Sequence, residues 1–221
     1  MNVLVTGFGP FPGVRVNPTT ALMQRLAKRR RLARPGLRIA THVFETRYDA
    51  VDRELPKLLA QHRPDALIMF GVAARTPHLR IETCAHNAQS VILADAGGNV
   101  SSSAAAVSGA RKTLAGRAPF TQLLVAAKRA RVPTRLSHDA GRYLCNYVYA
   151  RALTAKAPPP VVVFVHVPKL GARGRPLARV CRAGVTLDDL VRAAEAMLVL
   201  VPGMVRRGLL PQPVIPDTPK A

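Results

Sequence analysis

The apolar positions of the chain fall into two periods. Residues 2–6 (NVLVT) form a short apolar run that stops at Gly7, and 65–70 (DALIMF) and 161–167 (VVVFVHV) are unbroken runs of strand length, the pattern of strands covered on both faces. Residues 37–44 (LRIATHVF) alternate apolar and polar side chains, as a half-buried strand does. Between these runs, 19–33 and 46–61 carry helical spacing, the second with Val51, Leu55, Leu58 and Leu59 on one side. Strand, helix, strand, helix, strand in succession predicts right-handed crossovers and an α/β fold, with a mostly parallel, twisted sheet and helices on both faces. Reacting groups in such sheets gather beyond the carboxyl ends of the strands.

The second half is less regular. Residues 79–86 and 90–94 read as two further strands, a hairpin at one edge, and Ala96–Ala118 turns to Gly, Ser and Ala and reads as a long loop. Helical spacing returns at 119–130 and 140–156, with a short strand expected at Arg131–Arg135. Residues 186–201 predict an amphipathic helix with Thr186 as N-cap and Asp188 and Asp189 in its first turn. Residues 1–210 are expected to form a single domain, followed at 211–221 by an irregular tail with four prolines.

Composition adds limits rather than direction. With 221 residues, 48% of them hydrophobic, the chain can fill one sizeable core. No apolar stretch reaches the roughly 20 residues that span a bilayer. The sequence opens MNVLVTGFGP, without the pattern of a secretion signal, so the cytoplasm is the expected compartment. Three cysteines, Cys84, Cys145 and Cys181, with no CxxC pair, argue against a disulfide framework and a four-ligand zinc site. Histidines 42, 62, 78, 86 and 138 lack metal-ligand spacing, and no cofactor is implied. The net charge of +21 would ordinarily point to an anionic partner. Arginine far outnumbers lysine, however, and Ala, Val, Pro and Gly are abundant, a bias that GC-rich codons produce by themselves. Nucleic acid is therefore not the expected partner.

Three residues offer chemistry. Cys145 lies in SHDAGRYLCNYVYARAL, in the first turns of an expected helix, where amide dipoles favour a thiolate; an inert core cysteine is the alternative. His166, near the carboxyl end of VVVFVHV, is placed to deprotonate a thiol or to serve as a core histidine. Glu82, within LRIETCAHN, is a carboxylate in an apolar segment that needs a partner, either an imidazolium or an arginine such as Arg75 or Arg80.

Four segments, VLVTGFGPFPGVRVNPT at 3–19, FGVAARTPHLRIETCAHN at 70–87, SHDAGRYLCNYVYARAL at 137–153 and VVVFVHVPKL at 161–170, resemble in order and spacing the pyroglutamyl peptidase I (pyrrolidone-carboxylate peptidase) family, C15, of cytoplasmic cysteine peptidases. The resemblance spans most of residues 1–200. It implies an open three-layer α/β/α sandwich, often a homotetramer, and hydrolysis of N-terminal pyroglutamate from peptides by a triad mapping onto Glu82, Cys145 and His166. It further implies that Phe8 and Phe11 flank the lactam ring and that Asn17 shapes their loop. Two positions depart from the family. Val72 stands where the family has glutamine, beside the ring site, and Ile92 where it has an arginine near the active site. Lys169, Arg173 or Arg175 are the candidates to supply the missing charge. Two other functions are compatible with the sequence: a related thiol hydrolase with a different N-terminal or amide substrate, and a non-catalytic binding protein using KRRRLAR at 28–34 and the arginines of 173–182.

Overall fold

A computed structural model describes residues 1–206 except 30–31, 33–34, 172–173 and 175–183. The expected 211–221 tail, Cys181, Arg173 and Arg175 lie outside the described residues. The first three strands, β1 (Asn2–Phe8), β2 (Arg38–Phe44) and β3 (Ala66–Ala73), alternate with helices α1 (Pro18–Ala27) and α2 (Tyr48–His62). Then come β4 (Leu79–Glu82), β5 (Cys84–His86), β6 (Thr113–Ala115), α3 (Phe120–Arg129), β7 (Thr134–Ser137), α4 (Leu144–Leu153), β8 (Val161–Pro168) and α5 (Leu187–Arg206).

Six strands form one sheet in the order β2-β1-β3-β8-β4-β7. The first four are parallel, β4 runs antiparallel to β8, and β7 is parallel to β4. The reversal follows from chain length. A parallel neighbour needs a crossover of about a dozen residues or more, and only residues 74–78 join β3 to β4. So short a connection turns the chain around, and β8 fills the gap between the two strands. Helices α1, α3 and α5 bury their apolar stripes on one face of the sheet and α2 and α4 on the other, giving the three layers.

Strand alternation decides which side chains meet which layer. On β3, Leu67 and Met69 pack with α2 and α4, as does Phe164 of β8, while Ile68 and Phe70 pack with α1, α3 and α5, as do Val163, Val165 and Val167 of β8 and Leu79 and Ile81 of β4. Gly71, His166, Arg80 and Glu82 therefore share the α2/α4 face. Val72 belongs to the other one, where its half-buried side chain packs against the core.

The edge differs from expectation. Residues 90–94 are not a strand: the Ser90 hydroxyl accepts the amides of Ile92 and Leu93, at 3.2 and 3.0 Å, and closes a turn. The strand that pairs with β5 is β6, inside the stretch read as loop. That stretch is anchored by Asn87, whose side chain bonds the backbone of Val107 and Ala110. The short strand expected at 131–135 sits at Thr134–Ser137, after Pro133 has removed one donor. Helix α4 begins at Leu144 rather than at 140, because Gly141 takes a positive φ of 83° and its amide donates to Asp139 Oδ1. At α5 the expected cap is present: the Thr186 hydroxyl accepts the Asp189 amide, and the Asp189 carboxylate accepts from the Thr186 amide. Asp95, nearly fully buried, was not singled out by the sequence; its Oδ2 accepts the Tyr48 amide and caps α2, whose own N-cap Arg47 contributes no side-chain bond.

Behind β4, the buried Tyr149 hydroxyl donates to the Glu82 carbonyl at 3.1 Å. A Cβ added to Gly116 would lie 2.0 Å from that hydroxyl oxygen and 2.7 Å from Phe120 Cζ. Gly116→Ala is thus expected to destabilise the fold by roughly 2–3 kcal/mol through overpacking, read as a lower urea midpoint with unchanged m-value; an unchanged midpoint would refute the packing described. No helix among the described residues is long and apolar enough to cross a membrane.

Candidate active site

The carboxyl ends of β3 and β8 meet the first turn of α4 on the α2/α4 face. Gly71 is the register partner of His166 across the β3–β8 pair, and Arg80 is the partner of His166 on its other side, across β8–β4. Cys145 is the second residue of α4, so its thiol stands where the helix amides lack intrahelical acceptors. A Cβ at Gly71 would sit 2.7 Å from Cys145 Sγ. The thiol therefore occupies the space that glycine leaves open, one register position from the histidine. Asn146 follows it. This fully buried amide accepts from the His86 amide and donates to the carbonyls of His86 and Ala88, pinning the segment after β5 to α4. Sequence reasoning passed over both Gly71 and Asn146.

Glu82 has no exposed surface, and its Oε1 is 2.7 Å from His166 Nδ1. A carboxylate oxygen at that distance accepts the Nδ1 proton, which leaves the Nε2 lone pair for a thiol. Glu82 also meets an arginine, the alternative partner considered for it: Arg80 Nε donates to Oε1 at 3.0 Å, and Nη2 lies 2.9 Å from the same oxygen as an ion pair. Among the described residues, no group makes a hydrogen bond of ordinary geometry to the buried Glu82 Oε2.

Burial pushes the Cys145 thiol up to about 12; the Glu82 charge adds to this and Arg80 opposes it. Burial likewise pushes the His166 imidazole below its usual value, with Glu82 pulling it up and Arg80 pressing it down. Burial raises the Glu82 carboxyl, but the His166 hydrogen bond and charge, the Ser137 hydroxyl and Arg80 outweigh it and hold it below the carboxylate range. The free site thus rests as thiol, neutral imidazole and carboxylate.

These shifts fix the sign of acid sensitivity. Glu82, with its folded value depressed, contributes stability that is present above the unfolded value near ~4.3 and is lost as pH falls through the lower folded value. His166 resists protonation when folded, so below the unfolded value near ~6.5 the unfolded chain binds a proton that the native one does not. Stability should fall on acidification from about pH 6.5, steepening below about pH 4.3. The measurement is the urea midpoint between about pH 7.5 and 4, in wild type and in the Glu82→Gln/His166→Gln double variant, whose profile should be flatter.

The remaining sequence candidates are scattered. Phe8 is 2% exposed and packs against Phe44, with ring centroids 5.8 Å apart. Phe11 is half-buried, and its ring neighbour is Tyr143 at 6.2 Å, two residues before Cys145. The Asn17 side chain holds its own loop: Nδ2 donates to the Gly9 carbonyl and Oδ1 accepts the Thr19 amide and hydroxyl, so it caps α1. Val72, expected beside the ring site, packs on the opposite face of the sheet from Cys145. Ile92 is 83% exposed, at the tip of the Ser90 turn. The Lys169 ammonium donates to the Gly13 carbonyl at 2.7 Å. Among the described residues, the cation beside His166 is Arg80. A groove of about 830 Å³ is lined by Leu55, Leu59, Val107 and Pro158–Pro160, at the amino ends of β3 and β8; it is remote from Cys145, Glu82 and His166.

Comparison with known proteins identifies the scaffold. The pyroglutamyl peptidase profile matches residues 1–199. The chain belongs to this family. Among its relatives, the pyrrolidone-carboxylate peptidase of Thermococcus onnurineus is 27% identical over 203 residues, covering 90% of this chain and 97% of that protein. That of Thermococcus kodakarensis is 30% identical over 176 residues, covering 76% and 81%. The crystal structure of pyrrolidone carboxyl peptidase from Thermus thermophilus superposes with a TM-score of 0.75 at 29% identity, covering 89% of this chain and 98% of that one. The enzyme from Fervidobacterium islandicum superposes at 0.82 with 24% identity, covering 92% and 99%, which bears on the fold alone. This member of the pyroglutamyl peptidase family is a hydrolase by descent, with the α/β fold expected from its strand runs.

Proposed function

We propose that the chain is a cysteine peptidase that removes N-terminal pyroglutamate from peptides, with Cys145 as nucleophile, His166 as general base and acid, and Glu82 as the carboxylate that orients the imidazole. The observation that carries this reading is the arrangement of Cys145, His166 and the buried Glu82 on one face of the sheet, in a chain of this family.

In the reaction, His166 Nε2 takes the thiol proton as Sγ attacks the pyroglutamyl carbonyl. The tetrahedral oxyanion is met by first-turn amides of α4, including that of Cys145. The C–N bond breaks, the amine leaves with the proton from His166, and a thioester remains. Water, deprotonated by His166, attacks the thioester, releasing pyroglutamic acid and restoring the thiol. Since burial holds the thiol near 12 in the free site, the nucleophile forms only as the proton passes to His166. The uncharged lactam suits the aromatic surface of Phe11 and Tyr143, with Phe8 and Asn17 supporting that loop from behind. We extend the proposal to a cytoplasmic homotetramer without cofactor, membrane or nucleic-acid partner, as the resemblance implies.

The test is release of a fluorescent amine from its pyroglutamyl amide, beside the prolyl and glutamyl amides. Turnover of the pyroglutamyl amide alone, abolished in Cys145→Ala, is expected. Turnover that survives in Cys145→Ala, or is confined to another amide, would overturn the assignment.

A further inference from the structure

The reaction scheme leaves one charged residue of the site unused, Arg80, which the sequence offered only as an ion-pair partner for Glu82. Arg80 lies on β4 opposite His166 and two positions before Glu82, so its side chain and the carboxylate project from the same face. Its guanidinium reaches three parts of the site. Nε donates to Glu82 Oε1 at 3.0 Å, Nη2 lies 2.9 Å from the same oxygen as an ion pair, and Nη2 donates to the Asp139 carbonyl at 2.9 Å, in the loop that leads into α4. The same nitrogen is 3.4 Å from His166 Nδ1. With the Nδ1 proton committed to Glu82, that last approach is a charge facing a ring edge rather than a hydrogen bond.

We propose that Arg80 is a positioning residue for catalysis: its guanidinium ties the Glu82 carboxylate to the Asp139 carbonyl, fixing the His166 ring relative to the start of the helix that carries Cys145. This rests on the peptidase reading above. A fully buried carboxylate needs a nearby positive charge. When His166 is neutral, Arg80 is the group that supplies it. Because the guanidinium is planar and forked, one residue can hold two acceptors in a set geometry, which an ammonium does less well. The side chain is only a quarter exposed, so solvent screens it weakly.

The charge also acts on both reacting groups. It opposes a second proton on His166 and favours thiolate over thiol at Cys145. The other groups facing His166 are Glu82 from β4 and Asp139 from the loop before α4, both favouring its protonation. Glu82 faces Cys145, with Tyr48 and Tyr143 nearby. Arg80 thereby keeps the base available to lower pH while easing ionisation of the nucleophile.

The experiment compares wild type, Arg80→Met and Arg80→Lys in two assays: the pH profile of kcat/KM on a pyroglutamyl amide, and the pH profile of iodoacetamide alkylation at Cys145, resolved from Cys84 and Cys181 by peptide mapping. In Arg80→Met, kcat should fall about 10- to 100-fold with little change in KM. The acidic limb of kcat/KM should move up by about one pH unit, and alkylation should shift to higher pH. Arg80→Lys should restore both limbs and only part of kcat. Profiles of Arg80→Met that superpose on wild type, or equal losses in both variants with unmoved limbs, would overturn the positioning role. A wild type that is inactive on every pyroglutamyl amide would defeat the peptidase reading instead, and the alkylation profile would still decide for or against Arg80.

Discussion

Replacing Cys145 by alanine is expected to lower kcat/KM for a pyroglutamyl amide by roughly 10⁴-fold or more, because the sulfur that forms the thioester is removed. Cys84, the other described cysteine, donates its thiol proton to the His138 carbonyl, and burial raises its pKa; it is no substitute. The fold should persist, since the substitution removes one sulfur atom that rests against a glycine, and the melting temperature should stay close to that of wild type. Cys145→Ser is expected to fare little better. The site raises rather than lowers the pKa of its nucleophile at rest, so a hydroxyl, intrinsically the weaker acid, would be harder still to ionise. Activity, circular dichroism and melting of the two variants together make the check. Retained turnover in the alanine protein with normal melting would mean that the nucleophile is elsewhere.

Gly71→Ala is expected to cost at least about 100-fold in kcat and, as overpacking, about 1–3 kcal/mol of stability. The new Cβ would meet Cys145 Sγ and Phe164 Cζ, each at 2.7 Å. Phe164 is a fully buried aromatic ring held between β8 and Tyr149, so it cannot yield cheaply. The thiol is the part that moves. Rotation of Sγ away from Gly71 would take it from the position that lies opposite His166 in the β3–β8 register, and the chemistry would suffer more than the fold. The check is a kcat loss far exceeding what the melting shift explains. An alanine variant with full activity would show that the reacting rotamer of Cys145 does not lie against Gly71.

The parts of the fold that were legible in the sequence are those fixed by burial. VLV, LIMF and VVVFVHV can only be inner strands, and they are β1, β3 and β8. The order of strands was less accessible, because the apolar pattern says that a strand is buried and not which neighbour covers it. The reversal of β4 came from the short reach of residues 74–78, a length argument open to the sequence in principle, whereas nothing in the sequence placed β8 between β3 and β4. Val91, Ile92 and Leu93 misled for a different reason. Their side chains favour a strand, but one Ser90 hydroxyl bonding two amides outweighs that local preference.

At the site, Glu82 and His166 were readable because an ionisable side chain in an apolar run has few explanations. Gly71 was not, because the absence of a side chain carries no chemical label until its neighbours are known. The orientation of Val72 followed from alternation along LIMFGVA and was available beforehand. Arg80 was visible only as a possible ion-pair partner; its second bond, to the Asp139 carbonyl, joins residues far apart in the chain.

The Ser90 turn has a consequence for how this chain can change. It is held by the Ser90 hydroxyl, by the Ser90 amide donating to the Arg142 carbonyl, and by the Tyr143 hydroxyl donating to the Ala94 carbonyl. None of these bonds uses the side chains of Val91, Ile92 or Leu93, all of which are exposed. Those three positions are thus free to drift, or to be randomised, at little thermodynamic cost, on a rim moored to the residues just before the nucleophile. Libraries confined to them would sample new surfaces beside Cys145 while the machinery beneath stays intact.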